Sequence, residues 1–147
     1  MTDFEAFIGF KPLNEIATHL EQVPEFVSVV GKAVANNFKA ALASNNKSDQ
    51  KKALKDLFAA LMNSKENEMK MQLQSLVDRA SKLPQTKGSI NELLVRLNQQ
   101  FPGDIGCFCA FFLNYVQLKS GEAIFLAANE PHAYLSGGKL LLAAMTQ

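Results

Sequence analysis

Through most of the first hundred residues, apolar side chains recur every three or four positions, the mark of amphipathic helices rather than strands. Leu13, Ile16, Ala17 and Leu20 form the first stripe, which Pro12 opens and Val23-Pro24 closes. A second stretch runs from about Glu25 to Ala43 through Val27, Val30, Val34, Phe38, Ala41 and Leu42, with Gly31 placed to break it. Ser44-Asn45-Asn46-Lys47 reads as a turn, Ser48 as the N-cap of the next helix, and Asp49 as a carboxylate at the positive end of its dipole. Leu54, Leu57, Phe58 and Leu61 share one face of that helix and Lys51, Lys52 and Lys55 the other, before Asn63-Ser64-Lys65 ends it. From Glu66 to Leu83 the stripe is Met69, Leu73, Leu76, Val77 and Ala80. After a break at 84–88, Ser89-Ile90-Asn91-Glu92 is a capping box, followed by Ile90, Leu93, Leu94, Leu97 and Phe101 on one face. The pattern predicts antiparallel helices joined by short turns.

At Phe101-Pro102-Gly103-Asp104 the character changes. Cys107 to Leu113 is apolar almost throughout, so it is buried on all sides, and periodicity does not distinguish helix from strand there. Tyr115-Val116-Gln117-Leu118 alternates, Lys119 to Glu122 turns, and Ala123 to Leu126 reads as a second short strand, together a β-hairpin. Residues 1–11 are an apolar lead-in containing Phe4, Phe7, Ile8 and Phe10. With few other strand candidates, the hairpin must rest on the helices or on strands from elsewhere.

Composition fits one domain with a real core: 147 residues, 48% apolar, including 11 Phe. A net charge of +1 supplies no field that would recruit nucleic acid or an acidic membrane. The segment 47–87 is locally basic, nine Lys or Arg against five Asp or Glu, but its lysines lie on polar helix faces without interleaved aromatics, as a solvated surface does. No apolar run approaches a bilayer span and the acidic N-terminus carries no signal-peptide pattern, so a soluble cytoplasmic protein is expected. Cys107 and Cys109, one residue apart in an apolar run, are expected to be buried, reduced structural thiols. His19, one turn after Glu15 and off the apolar stripe, is expected to form a solvated Glu-His pair. His132 stands just past a strand-like run and beside Pro131, which fixes the backbone, as a metal ligand needs.

The run Gly121-Glu122-Ala123-Ile124-Phe125-Leu126-Ala127-Ala128-Asn129-Glu130-Pro131-His132-Ala133-Tyr134-Leu135-Ser136-Gly137 resembles the signature of the zinc-dependent type I mannose-6-phosphate isomerases. Phe101 to Gly106, Phe10-Lys11-Pro12, Glu15-Ile16 and Val23-Pro24-Glu25-Phe26 resemble that family too, so the likeness covers roughly residues 2–137. It implies a helical region inserted into a cupin-type β-barrel enzyme that interconverts mannose 6-phosphate and fructose 6-phosphate through an enediol, with zinc as Lewis acid. It also implies that His132 is a zinc ligand and that Tyr134, the candidate catalytic-site residue, lines the sugar pocket, with Asn129 and Glu130 in support.

The family's other ligands, a Gln, a His and a Glu, belong to motifs that precede the equivalent of Met1, and the segment leading to its catalytic Arg is replaced here by residues 138–147. The resemblance therefore implies a piece truncated at both ends, holding one of four zinc ligands and inactive alone, since one imidazole does not retain zinc. The competing expectation is a non-catalytic helical interaction module that meets a partner through exposed apolar surface. The expected fold is mainly α, an antiparallel helical domain over 1–104. A short C-terminal β-hairpin, a remnant of a cupin-type barrel, lies in the partial β segment 105–137, and 138–147 is an unmatched tail.

Overall fold

The computed structural model describes residues 4–118, 132–134 and 141–143. Six α-helices follow the hydrophobic periodicity: α1 Leu13–Gln22, α2 Pro24–Val30, α3 Lys32–Ala43, α4 Lys47–Met62, α5 Glu66–Ala80 and α6 Ile90–Gln100. The stripe expected for α5 is its buried face, Met69, Leu73, Leu76, Val77 and Ala80. Pro12 sits one position before α1 and closes its first turn through its carbonyl, which accepts from the N–H of Glu15 and of Ile16. Gly31 does break the second stretch. With φ +99° and ψ 138° it takes a backbone conformation open almost only to glycine, and it turns the chain from α2 into α3.

Two caps differ in detail from expectation. Asn46, not Ser48, caps α4, its Oδ1 accepting from the Asp49 N–H at 3.1 Å. An amide side chain two residues earlier lets the helix begin at Lys47 and keeps Asp49 in the first turn. At α6, Ser89 Oγ accepts from the Glu92 N–H at 3.3 Å as a capping box requires, while Glu92 Oε1 accepts from the Gly88 N–H at 2.9 Å rather than from that of Ser89.

The unassigned apolar run is a 3-10 helix, Ile105–Phe111, started by the Asp104 carboxylate accepting from the Gly106 N–H at 2.7 Å. Gly106 to Phe111 are all buried. Phe111 stacks on Phe26 at 5.0 Å, and Phe112, just beyond, meets Phe26 and Phe58 edge-on at 5.3 and 5.2 Å. This aromatic cluster ties α2 and α4 to the segment that leads into the sheet.

The apolar lead-in is itself a strand, β1 Phe4–Phe10, at the centre of an antiparallel four-stranded sheet of order β2-β1-β3-β4, with β2 Leu113–Leu118, β3 His132–Tyr134 and β4 Leu141–Ala143. Tyr115 to Leu118 are in a strand as expected, and the partner of that strand among the described residues is β1, Phe7 opposite Tyr115. The stretch Ala123 to Leu126 lies outside the described residues. A C-terminal antiparallel hairpin is present as β3 and β4, the latter falling within 138–147. The β1–β2 register shifts between Phe7 and Phe10, around Gly9 at φ +70°, and Asn114 Nδ2 donates to the Phe10 carbonyl at 3.2 Å to hold the bulge. Phe7 is fully buried in the helical core, so the face of β1 that carries Phe7 and Glu5 rests on the helices.

Candidate functional site

His132 and Tyr134, the metal and pocket candidates, lie on β3, and both are described by their backbone positions. His132 pairs with Ile8 and Tyr134 with Ala6, whereas Ala133 between them pairs with Phe7. Directly opposed residues share a face of a sheet and alternate residues change face. The two candidates thus occupy register positions on one face, the face opposite to the one Phe7 buries against the helices. Asn129 and Glu130 lie outside the described residues.

Among the described residues no group of three or more His, Cys, Asp or Glu is arranged to hold a metal ion. His19 belongs to no such group among the described residues, and it is not the solvated partner of Glu15 either. It is half-buried with its ring 5.2 Å from that of Phe111, and burial, with Lys11 nearby, pushes its pKa below the usual 6.5 against the opposing pull of Glu15. Phe111 of the 3-10 helix reaches that flank of α1, and no local pattern announces its position. Cys107 and Cys109 are free and buried as expected, and burial pushes both thiols up to about 12, so neither is a ready nucleophile or ligand.

On the helical side of β1 sits a polar cluster of which local spacing reveals one pair, Glu92 and Arg96, an i,i+4 pair on α6. Arg96 of α6 donates from Nη1 to Glu5 Oε1 of β1 at 2.5 Å and from Nε to Glu92 Oε2 at 2.6 Å. The Tyr115 hydroxyl of β2 donates to the other oxygen of Glu5. Burial opposes charge on both glutamates, but hydrogen bonds from Arg96 outweigh it, aided by Tyr115 at Glu5 and the Gly88 N–H at Glu92, and both carboxyls stay below the usual 4.5. The same contacts raise the Arg96 guanidinium. Gly88, at φ +84°, passes the Tyr115 ring so closely that a Cβ there would lie 3.3 Å from its edge. A second pair, Glu25 with Arg79 and Ser75, joins α2 to α5. Apart from Glu92 and Arg96, four residues apart on α6, the charged partners in both clusters are separated by fifty residues or more, and only the charges themselves signal them.

Residues 29–113 match the family described as phosphomannose isomerase type I, helical insertion domain. The chain is 44% identical over 146 residues to mannose-6-phosphate isomerase of Saccharomyces cerevisiae, covering 93% of this chain and 34% of the yeast protein. It is 43% identical over 141 residues to the enzyme of that name from Rattus norvegicus, covering 93% and 33%. The chain therefore spans about a third of the length of these curated relatives. Its structure is similar to that of a crystallised mutant of phosphomannose isomerase from Salmonella typhimurium, with TM-score 0.67 and 29% identity over 92% of this chain and 31% of the other. It is also similar to a mannose 6-phosphate isomerase bound with zinc and yttrium, with TM-score 0.65 and 27% identity over 97% of this chain and 35% of the other.

Proposed function

Because the chain belongs to the type I phosphomannose isomerase family, matched through that family's helical insertion domain, we propose that it serves the interconversion of mannose 6-phosphate and fructose 6-phosphate in the cytoplasm. In this reading the proton on C2 of the aldose moves to C1 through an enediol, while the hydroxyl proton on O2 moves to O1 and leaves the carbonyl at C2. The exchange is internally balanced and needs no oxidant or reductant. The observation that carries the reading is β3, His132–Tyr134, whose alternate positions 132 and 134 share the sheet face turned from the helical domain. His132 is assigned as a ligand to zinc and Tyr134 as a wall of the sugar-phosphate pocket.

Zinc, when bound, would polarise the oxygens at C1 and C2. A catalytic zinc takes three protein ligands and keeps a fourth position open. The described residues do not by themselves make such a set, and His132 is the residue of this chain assigned to it. Residues 4–118 have a definite task all the same: the helices hold β1 rigidly, and β1 sets the register of β3.

The test replaces the matched segment of the Saccharomyces cerevisiae enzyme with this chain and assays zinc content and isomerisation of mannose 6-phosphate. A zinc-loaded, active hybrid is expected, with His132→Ala losing zinc and about 100-fold or more in turnover and Tyr134→Phe raising KM. A folded hybrid with no turnover would overturn the isomerase reading in favour of a non-catalytic helical module. Full zinc content in His132→Ala would overturn the ligand assignment alone.

A further inference from the structure

We infer that Arg96 is a positioning residue for the strand that carries His132 and Tyr134, acting through Glu5. The inference rests on the site assigned above and concerns how that site is held in place. Arg96 spans two carboxylates, one on its own helix and one on β1, with bonds of 2.6 and 2.5 Å. Its side chain is 22% exposed, as is that of Glu5, and that of Glu92 is 15% exposed, so solvent weakens these pairs less than it does a surface ion pair. Tyr115 closes the arrangement from the strand on the other side of β1. The Glu5 carboxylate is therefore the single point at which Arg96 of α6 and Tyr115 of β2 both hold β1.

That point is one residue from the paired positions. Glu5 precedes Ala6, which pairs with Tyr134, and Phe7 and Ile8 pair with Ala133 and His132. β3 spans three residues, and its register is inherited from β1 on one side and β4 on the other. A one-residue slip of β1 would move every paired position to the opposite face. Phe7 and Phe10 resist slippage through packing, whereas Glu5 is held by directional bonds to a helix that the sheet itself does not contain. The planar fork of arginine suits this, because it can donate to two carboxylates in fixed directions, which a lysine ammonium does not reproduce.

Residue-resolved hydrogen exchange on the full chain tests the inference, with α4 and α5 as reporters of global stability. In Arg96→Met, amides of Glu5 to Ile8 and of His132 to Tyr134 are expected to exchange about tenfold faster or more, with those of α4 and α5 changed far less. Arg96→Lys should show the same pattern at smaller amplitude, and it decides the question if the methionine variant does not fold. In a Glu5→Gln background, Arg96→Met should add little at β1 and β3. Equal acceleration in α4 and α5 would make Arg96 a general stabiliser and overturn the inference, as would unchanged exchange at β3. The readout requires no turnover, so loss of the isomerase reading and loss of this one are told apart.

Discussion

Glu25 is a buried carboxylate, 7% exposed, in a helix otherwise read for its apolar stripe. Its oxygens accept from Arg79 and from Ser75 Oγ, the latter at 3.3 Å, both on the facing helix α5. Burial works against the charge, but Arg79 and then Ser75 hold this carboxyl below the usual 4.5. Arg79→Met strands that carboxylate with one weak donor, and a loss of about 1–3 kcal/mol is expected, measured by urea unfolding. Because Arg79 is itself half-exposed, Glu25→Gln should cost less, the freed guanidinium turning to water. A larger loss for Glu25→Gln than for Arg79→Met would show that the pair is not organised around the buried carboxylate. The two thiols make the opposite case. Their burial was readable from the apolar run alone, and they are expected to resist a maleimide at neutral pH in the folded chain and react on unfolding. Glu25 was not readable, since its partner is 54 residues away and a glutamate near a helix start is ordinarily solvated.

At the scale of elements, the α-helices were legible because each buries one stripe and wets the other, the condition under which period 3.6 leaves a trace in sequence. The strand β1 left no such trace. Ala6 and Phe7, successive residues on opposite faces, are both fully buried, so the alternation that identifies a half-exposed strand is erased. The same loss of contrast hid the 3-10 helix, where six consecutive residues are buried. Glycine at position 31 was readable as a break but not as a joint. Its backbone at φ +99°, ψ 138° lies where side-chain-bearing residues are strained, and a Cβ built there meets nothing within 4 Å. Gly31→Ala is therefore expected to cost about 1–3 kcal/mol from backbone strain alone, visible as a lower Tm with helical content unchanged. A neutral result would mean that the α2–α3 joint relaxes into an ordinary conformation without disturbing Phe26 and Phe38 on either side.

Taken as a whole, the molecule has ionisable groups that limit its stability on both sides of neutrality. Burial, and then Lys11, lowers the pKa of His19 against the pull of Glu15. The unfolded chain takes up that proton below about 6.5 while the folded chain resists it, so this contribution falls away as pH drops below 6.5. Glu5, Glu25 and Glu92 are depressed below 4.5, so the stability they supply is complete above that value and is lost as pH falls through their folded values. On the alkaline side, Cys107 and Cys109 are raised by burial from 9.0 to about 12, and an unfolded chain that ionises above 9.0 gains on a folded one that does not. Burial and Glu5 raise Tyr115 above 10.0, which adds to that loss at still higher pH. A plateau in Tm is thus expected between pH 6.5 and 9.0, with an acid limb in two stages, the first belonging to His19. Thermal unfolding followed by far-ultraviolet circular dichroism across pH measures it. In His19→Gln the first stage should vanish and the carboxylate stage remain, because glutamine carries no proton equilibrium yet can occupy the half-buried place against Phe111. An unaltered first stage in that variant would assign it to another group and leave His19 a bystander on the aromatic cluster that joins the helices to the sheet.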